Sequence, residues 1–321
     1  MKKTLVRSRR DLIKACAVSA PALLAMCQKL GASNSPSRQR LLRMGRATDD
    51  VAKDYQRIEA TITYLASQLA DIGIERGEVL LASDNRTATV MQYLRDGRLD
   101  LTIEGAFTSA QYVDAGVATP IAGAASDGRL SESSTVLFCR AENGRATVND
   151  LKGKIIAFED PESSSAYEHP RCWLNHRGLE LVRVDSFSSK VPSHQIGYLF
   201  AGSEINISSW VFFGKVSAGA LSVSNWKNVQ CVPLAYRSRL RVLAKTTGVP
   251  RLLVLARAKM DPGLRTRIQR HLAEMHLSPA GQAALKAYNT SQFIALQDQG
   301  RAALAGTHQL LEACQVQPKG L

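Results

Sequence analysis

The chain has 321 residues, 45% of them hydrophobic, a formal net charge of +13 and six cysteines. That apolar content excludes an intrinsically disordered chain. The basic residues form no run interleaved with aromatics, so nucleic acid is not expected as a partner. The scattered cysteines make no close metal-type pairs, so neither metal nor cofactor is expected.

At the N-terminus, Lys2, Lys3, Arg7, Arg9 and Arg10 precede an apolar stretch from Leu12 to Met26, the pattern of a secretory signal. The stretch is interrupted by Pro21 and is shorter than the roughly 20 residues that span a bilayer. Ser8-Arg9-Arg10-Asp11-Leu12-Ile13-Lys14 is similar to the twin-arginine export motif. Residues 1–32 are therefore expected to be a twin-arginine signal and the mature protein to be periplasmic. Cleavage near Ala32 is favoured; a lipid anchor at Cys27, behind Leu24-Ala25-Met26, is the alternative. Residues 1–32 hold seven Lys/Arg and one acidic residue, so the remainder carries +7, a balance that suits an anionic ligand or an acidic docking surface.

The remaining chain is long enough for two domains of ordinary size. Residues 34–48 read as a tether and an entry strand. Ile58, Ile62, Leu65 and Leu69 then recur at helical spacing and make one apolar stripe that Gly73 terminates. Strand 78–82, helix 86–95 and strand 99–103 follow, in the short alternation that builds a parallel sheet covered on both faces. The alternation resumes with strands at 136–139 and 154–158, a helix over 166–176, a strand over 180–185, a helix over 203–213 and a strand over 216–221. After strands at 241–243 and 252–255, Asp261-Pro262 and Ser278-Pro279 each place a capping oxygen before a proline, the start signal of a helix. The expected fold is α/β and two-lobed. Residues 33–130 with 242–321 form one lobe and 131–241 the other, joined by two crossing strands, with a cleft at the carboxyl ends of the strands.

The sharpest local signal is Phe158-Glu159-Asp160-Pro161-Glu162-Ser163-Ser164-Ser165-Ala166-Tyr167, where a strand ends in three hydroxyls that open a helix. Free N–H groups and the positive end of the helix dipole make such a start an anion site. The other reading of the same residues is an ordinary serine cap. Motifs for a nucleophile elbow, a phosphate loop or a zinc helix are absent from the sequence, so no enzyme activity is expected. His169, His176 and His194 have none of the short spacings by which a helix-face or knuckle pair of histidines shares a metal. Cys139 and Cys172 read as small buried hydrophobes, and the spacing gives no support to a Cys172–Cys231 bridge.

Asp150-Leu151-Lys152-Gly153-Lys154, the serine loop and Pro170-Arg171 together resemble the phosphate/phosphite/phosphonate ABC transporter periplasmic substrate-binding protein family. Weaker similarity extends over about residues 40–295, including Gly97 to Tyr112, Ala201-Gly202-Ser203 and Gly214 to Ala220. The resemblance implies a type II periplasmic-binding-protein fold. It also implies a function: capture of a small oxyanion (phosphonate, phosphite or phosphate-like) by a monomer that serves an ABC permease. Service to a membrane sensor protein, or an enzyme on the same scaffold, are the alternatives. Carried over by position, the ligand site comprises Ser163, Ser164, Ser165 and Tyr167, with Thr108 and Ser109 facing them from the first lobe. Glu204 stands where the family has His, Ser217 and Ser222 where it has Asp, and Glu104 where it has an aromatic residue. These departures imply a ligand different from the family's own.

Overall fold

The computed structural model describes residues 40–48, 50–84, 86–144, 146–296 and 300–315; the export signal and Cys27 lie outside the described residues. Strand β1 (Arg40–Ala47) leads into α1 (Val51–Gln68). Asp50 caps α1 by accepting a hydrogen bond from Lys53 N at 3.1 Å, and Ile58, Ile62 and Leu65 are fully buried beneath it. The helical run ends at Gly73, whose φ of 83° is a conformation open to glycine at little steric cost. There follow β2 (Ile74–Ala82), α2 (Arg86–Arg95), β3 (Leu101–Glu104), α3 (Ala106–Asp114), β4 (Ala118–Ser126) and β5 (Arg129–Leu130). Asp127 and Gly128, with φ of 51° and 73°, form the tight Asp-Gly turn that joins β4 to β5.

The chain then crosses through β6 (Glu132–Ser133) into β7 (Thr135–Arg140), β8 (Ile155–Phe158), α4 (His169–Asn175), β9 (Leu181–Arg183), β10 (Ile196–Phe200) and α5 (Glu204–Phe212). Next come β11 (Ala218–Ser222), α6 (Val223–Lys227), α7 (Leu234–Arg237) and β12 (Leu240–Lys245). It returns through β13 (Val249–Pro250) to β14 (Leu253–Arg257), α8 (Pro262–Glu274), α9 (Pro279–Ala287), β15 (Gln292–Ala295) and α10 (Ala305–Gln315).

Among the described residues two large sheets form, of strand order β15-β4-β14-β3-β1-β2 with β5 on β4, and β12-β7-β11-β8-β10-β9. Pairing is parallel within β2-β1-β3 and within β11-β8-β10-β9. Each sheet is covered on both faces. Leu42, Ile62, Ile268 and Leu272 pack one face of the first sheet, and Val90, Leu99, Phe107 and Leu255 the other. Phe138, Ile207 and Val211 pack one face of the second sheet, and Phe158, Trp173 and Leu174 the other. The expected α/β two-lobed architecture is present.

The crossing strands β6 and β13 pair antiparallel, Val249 opposite Ser133, a two-strand hinge between the sheets. The return comes later than the sequence suggests. β12 pairs with β7 through Lys245, so residues 242–245, expected in the first lobe, lie in the second sheet. Asp261 and Ser278 cap α8 and α9 as expected, accepting from Leu264 N at 2.8 Å and Gly281 N at 3.1 Å.

Candidate ligand cleft

A cavity of about 500 Å³ lies at the carboxyl ends of the strands, lined by Arg46 and Thr48 at the end of β1, Glu104 and Gly105 at the end of β3, and Glu159, Asp160 and Glu162 to Ser165 after β8. This is where open α/β sheets bind ligands. On the second-lobe side Ser163 caps the helix. Its Oγ accepts from Ala166 N at 3.2 Å and donates to Glu159 Oε2 at 2.6 Å. Residues Ser164–Glu168 form a π-helical turn that runs into α4, a rare geometry found frequently at functional sites.

Across the cleft, Gly105 is the N-cap of α3 and supplies no side chain, so the leading N–H groups, which have no intrahelical partner, are left uncapped by it. Thr108 Oγ1 in its first turn lies 3.3 Å from Ser164 Oγ. Two helix starts on opposite lobes therefore meet at one pair of neutral hydroxyls. Thr108 and Ser109 both stand on α3. One residue turns a helix by about 100°, and Ser109 accordingly leaves the cleft: it is fully buried, and its Oγ has no partner among the described residues.

Ser165 lines the cavity, and its carbonyl accepts from Thr135 Oγ1 at 2.6 Å. Tyr167 is outside the lining; its hydroxyl sits 3.1 Å from that of Tyr198, within rings that include Phe158 and Phe200. Burial first, and then that hydrogen bond, push its phenol above the usual range, so Tyr167 serves as packing. Glu204 and Ser222 both line the cleft. Glu204 Oε1 accepts from Asn225 Nδ2 at 2.7 Å, while Ser222 caps α6 by accepting from Asn225 N at 3.0 Å.

The cleft also holds cations that local sequence does not single out: Arg46, Lys53, Arg57, Arg86 and Arg251. Arg46 is held by two carboxylates. Its Nη2 lies 3.5 Å from Glu104 Oε2 and its Nε 3.5 Å from Asp54 Oδ2. Glu104 further accepts from Ala47 N at 3.1 Å and Thr102 Oγ1 at 3.2 Å. Glu104 thus faces inward and holds Arg46 in place, rather than presenting a carboxylate to a ligand. Arg40, Arg43 and Arg46 recur every third residue, so only their position relative to the end of β1 singles one out.

Burial pushes the Glu104 carboxyl up to about 7, outweighing the opposing pull of Arg46. The unfolded chain releases this proton near the ordinary 4.5, so the native state holds more protons in the intervening window and stability falls as pH rises through it. Glu104→Gln removes this component. Its melting temperature relative to wild type is expected to climb from pH 4.5 to 7 and to level off above. A relative melting temperature that stays flat across the window, changing with pH only below it, would mean that Arg46 keeps the carboxylate ionised instead.

Residues 47–300 match the family described as ABC transporter, phosphonate, periplasmic substrate-binding protein. The chain belongs to that family. XAC2383 from Xanthomonas citri, bound to chloride, is 26% identical, with a TM-score of 0.78 over 86% of this chain and 99% of that one. The same protein bound to ATP gives 25% identity and a TM-score of 0.77 over the same shares. PhnD1 from Prochlorococcus marinus (MIT 9301), in complex with methylphosphonate, is 16% identical with a TM-score of 0.64, over 86% and 99% of the two chains, a likeness of fold. Members of this family are transporter substrate-binding proteins, not enzymes, and work in the periplasm with an ABC permease. Among the described residues no helix is long and apolar enough to cross a membrane.

Proposed function

We propose that this protein captures a phosphonate- or phosphate-class ligand by its oxyanion group, held between Ser164 on one lobe and Thr108 and Arg46 on the other. The observation that carries the reading is the 3.3 Å approach of Thr108 Oγ1 to Ser164 Oγ, which sets two helix starts around one point. Neutral hydroxyls and N–H groups can hold an anion without a fixed counter-charge, and Arg46 adds a charge-assisted donor. Glu204, Asn225 and Ser222 line the same cavity and would accept from hydroxyl or amine groups on the rest of the ligand. A cavity of about 500 Å³ lies in the range that encloses organic ligands, so the ligand carries a body beyond one tetrahedral group. The ATP and chloride bound by XAC2383 support an anionic ligand.

The test is thermal unfolding of the protein against methylphosphonate, phosphite, phosphate and ATP, each with a neutral-salt control. A ligand at a hundred times its Kd adds about 2.7 kcal/mol of stability, a rise of roughly 5–10 °C. If none of the four raises the melting temperature, the oxyanion reading fails.

A further inference from the structure

Cys172 and Cys314 form a disulfide across 142 positions of sequence, in place of the Cys172–Cys231 pairing that the sequence left unsupported. Its two ends sit on different lobes. Cys172 lies in α4, whose Trp173 and Leu174 pack into the second sheet's core. Cys314 lies in α10, whose Leu310, with Leu304 just before it, packs with Val90, Leu94 and Phe107 of the first lobe; His308 Nε2 of α10 also lies 3.5 Å from Asp114 Oδ1 at the end of α3. The hinge joins the lobes by two peptide strands, and the disulfide adds a third covalent connection that is not part of the hinge.

From that point a seam of contacts between lobes leads back along the chain to the serine loop. The Phe107 and His169 rings lie 5.2 Å apart, and Gln111 Nε2 donates to Glu168 Oε1 at 2.8 Å. Thr108 meets Ser164, and Arg86 pairs with Asp160 Oδ1 at 2.8 Å and Glu162 Oε2 at 3.2 Å. The helix tied down at Cys172 is the one continued from the serine loop, so freedom at one end of the seam becomes freedom at the other.

We propose that the Cys172–Cys314 disulfide is an interlobe tether that limits how far the cleft opens, keeping the serine loop close to α3 between ligand-binding events. Both cysteines are buried, so a reductant reaches the bond only after local opening, and the tether is a fixture of the folded protein in an oxidising compartment rather than a rapid switch. It bears on ligand exchange through the proposed site, but its test requires no ligand, so the two readings can fail separately.

The experiment is hydrogen exchange on the ligand-free, disulfide-bonded protein and on protein reduced with dithiothreitol. The dithiol gives two electrons and two protons to the sulfurs and becomes a cyclic disulfide. Peptide mapping first establishes that Cys172 and Cys314 are joined in protein recovered from the periplasm. On reduction, seam amides (residues 106–112 and 164–175) should exchange about tenfold faster or more, while β1 and β8 in the two cores keep their protection. Cys314→Ala should reproduce that pattern without reductant. Three results would overturn the tether: the two cysteines recovered as free thiols, unchanged seam exchange, or a loss of protection shared by both cores, which marks a general staple.

Discussion

Replacing Arg46 with Ala is expected to abolish most ligand affinity and to destabilise the fold at the same time. The Arg46 side chain is 22% exposed and lines the cleft, whereas that of Glu104 is 3% exposed. Loss of a charge-assisted hydrogen bond costs about 1.5–3 kcal/mol, and an arginine can make two, so at 1.4 kcal/mol per decade affinity should fall by at least about a hundredfold. Removing one partner of a buried pair also strands the other, typically at about 3–5 kcal/mol. Partial exposure of Arg46 and the ready protonation of Glu104 reduce that figure to about 2–3 kcal/mol, a drop of roughly 5–10 °C. The effect should be read at pH 8, where Glu104 is charged in the native state. Arg46→Met combined with Glu104→Gln separates the two consequences: the pair removes the stranded carboxylate, so stability should recover while affinity does not. Recovery of both would make Arg46 a structural residue and move the anion site elsewhere.

What the sequence made legible was local. The Asp261-Pro262 and Ser278-Pro279 starts, the Ile58-Ile62-Leu65 stripe and the serine loop after β8 each depend on residues within a turn or two of one another. Ser163, Ser164, Ser165, Thr108, Glu204 and Ser222 all reach the same cleft, although Ser163 spends its hydroxyl on Glu159 and Ala166. The departures came where distant elements decide. Ser109 and Thr108 are adjacent in sequence, but α3 begins at Ala106 and turns the two apart. Tyr167 was carried over by position, yet Tyr198 and Phe200 on β10, a strand the pattern did not announce, draw its ring into an aromatic cluster. Glu104 and Arg46 meet through the pairing of β1 with β3, Met44 opposite Leu101, which no local spacing encodes. The pairing of Cys172 with Cys314 likewise needs α10 seated between α3 and α4, a contact across nearly half the chain.

Ser164→Ala should weaken oxyanion binding roughly ten- to hundredfold while leaving the fold intact. Ser164 is not the helix cap; that hydroxyl belongs to Ser163, which accepts from Ala166 N. The change therefore deletes a ligand donor without deleting a cap, and a lost bond to a charged group, about 1.5–3 kcal/mol, converts to the stated range at 1.4 kcal/mol per decade. Ser163→Ala is the contrasting variant. It removes the cap, worth about 1 kcal/mol, and should lower the melting temperature more than it lowers affinity. The decisive measurement is calorimetric titration of wild type, Ser164→Ala and Ser163→Ala with the tightest-binding anion among methylphosphonate, phosphite, phosphate and ATP. The predicted result is a Kd raised at least tenfold by Ser164→Ala at unchanged melting temperature, with a smaller rise for Ser163→Ala. Equal affinities in wild type and Ser164→Ala would contradict the account, because the oxyanion would then lie away from the point where the two helix starts meet.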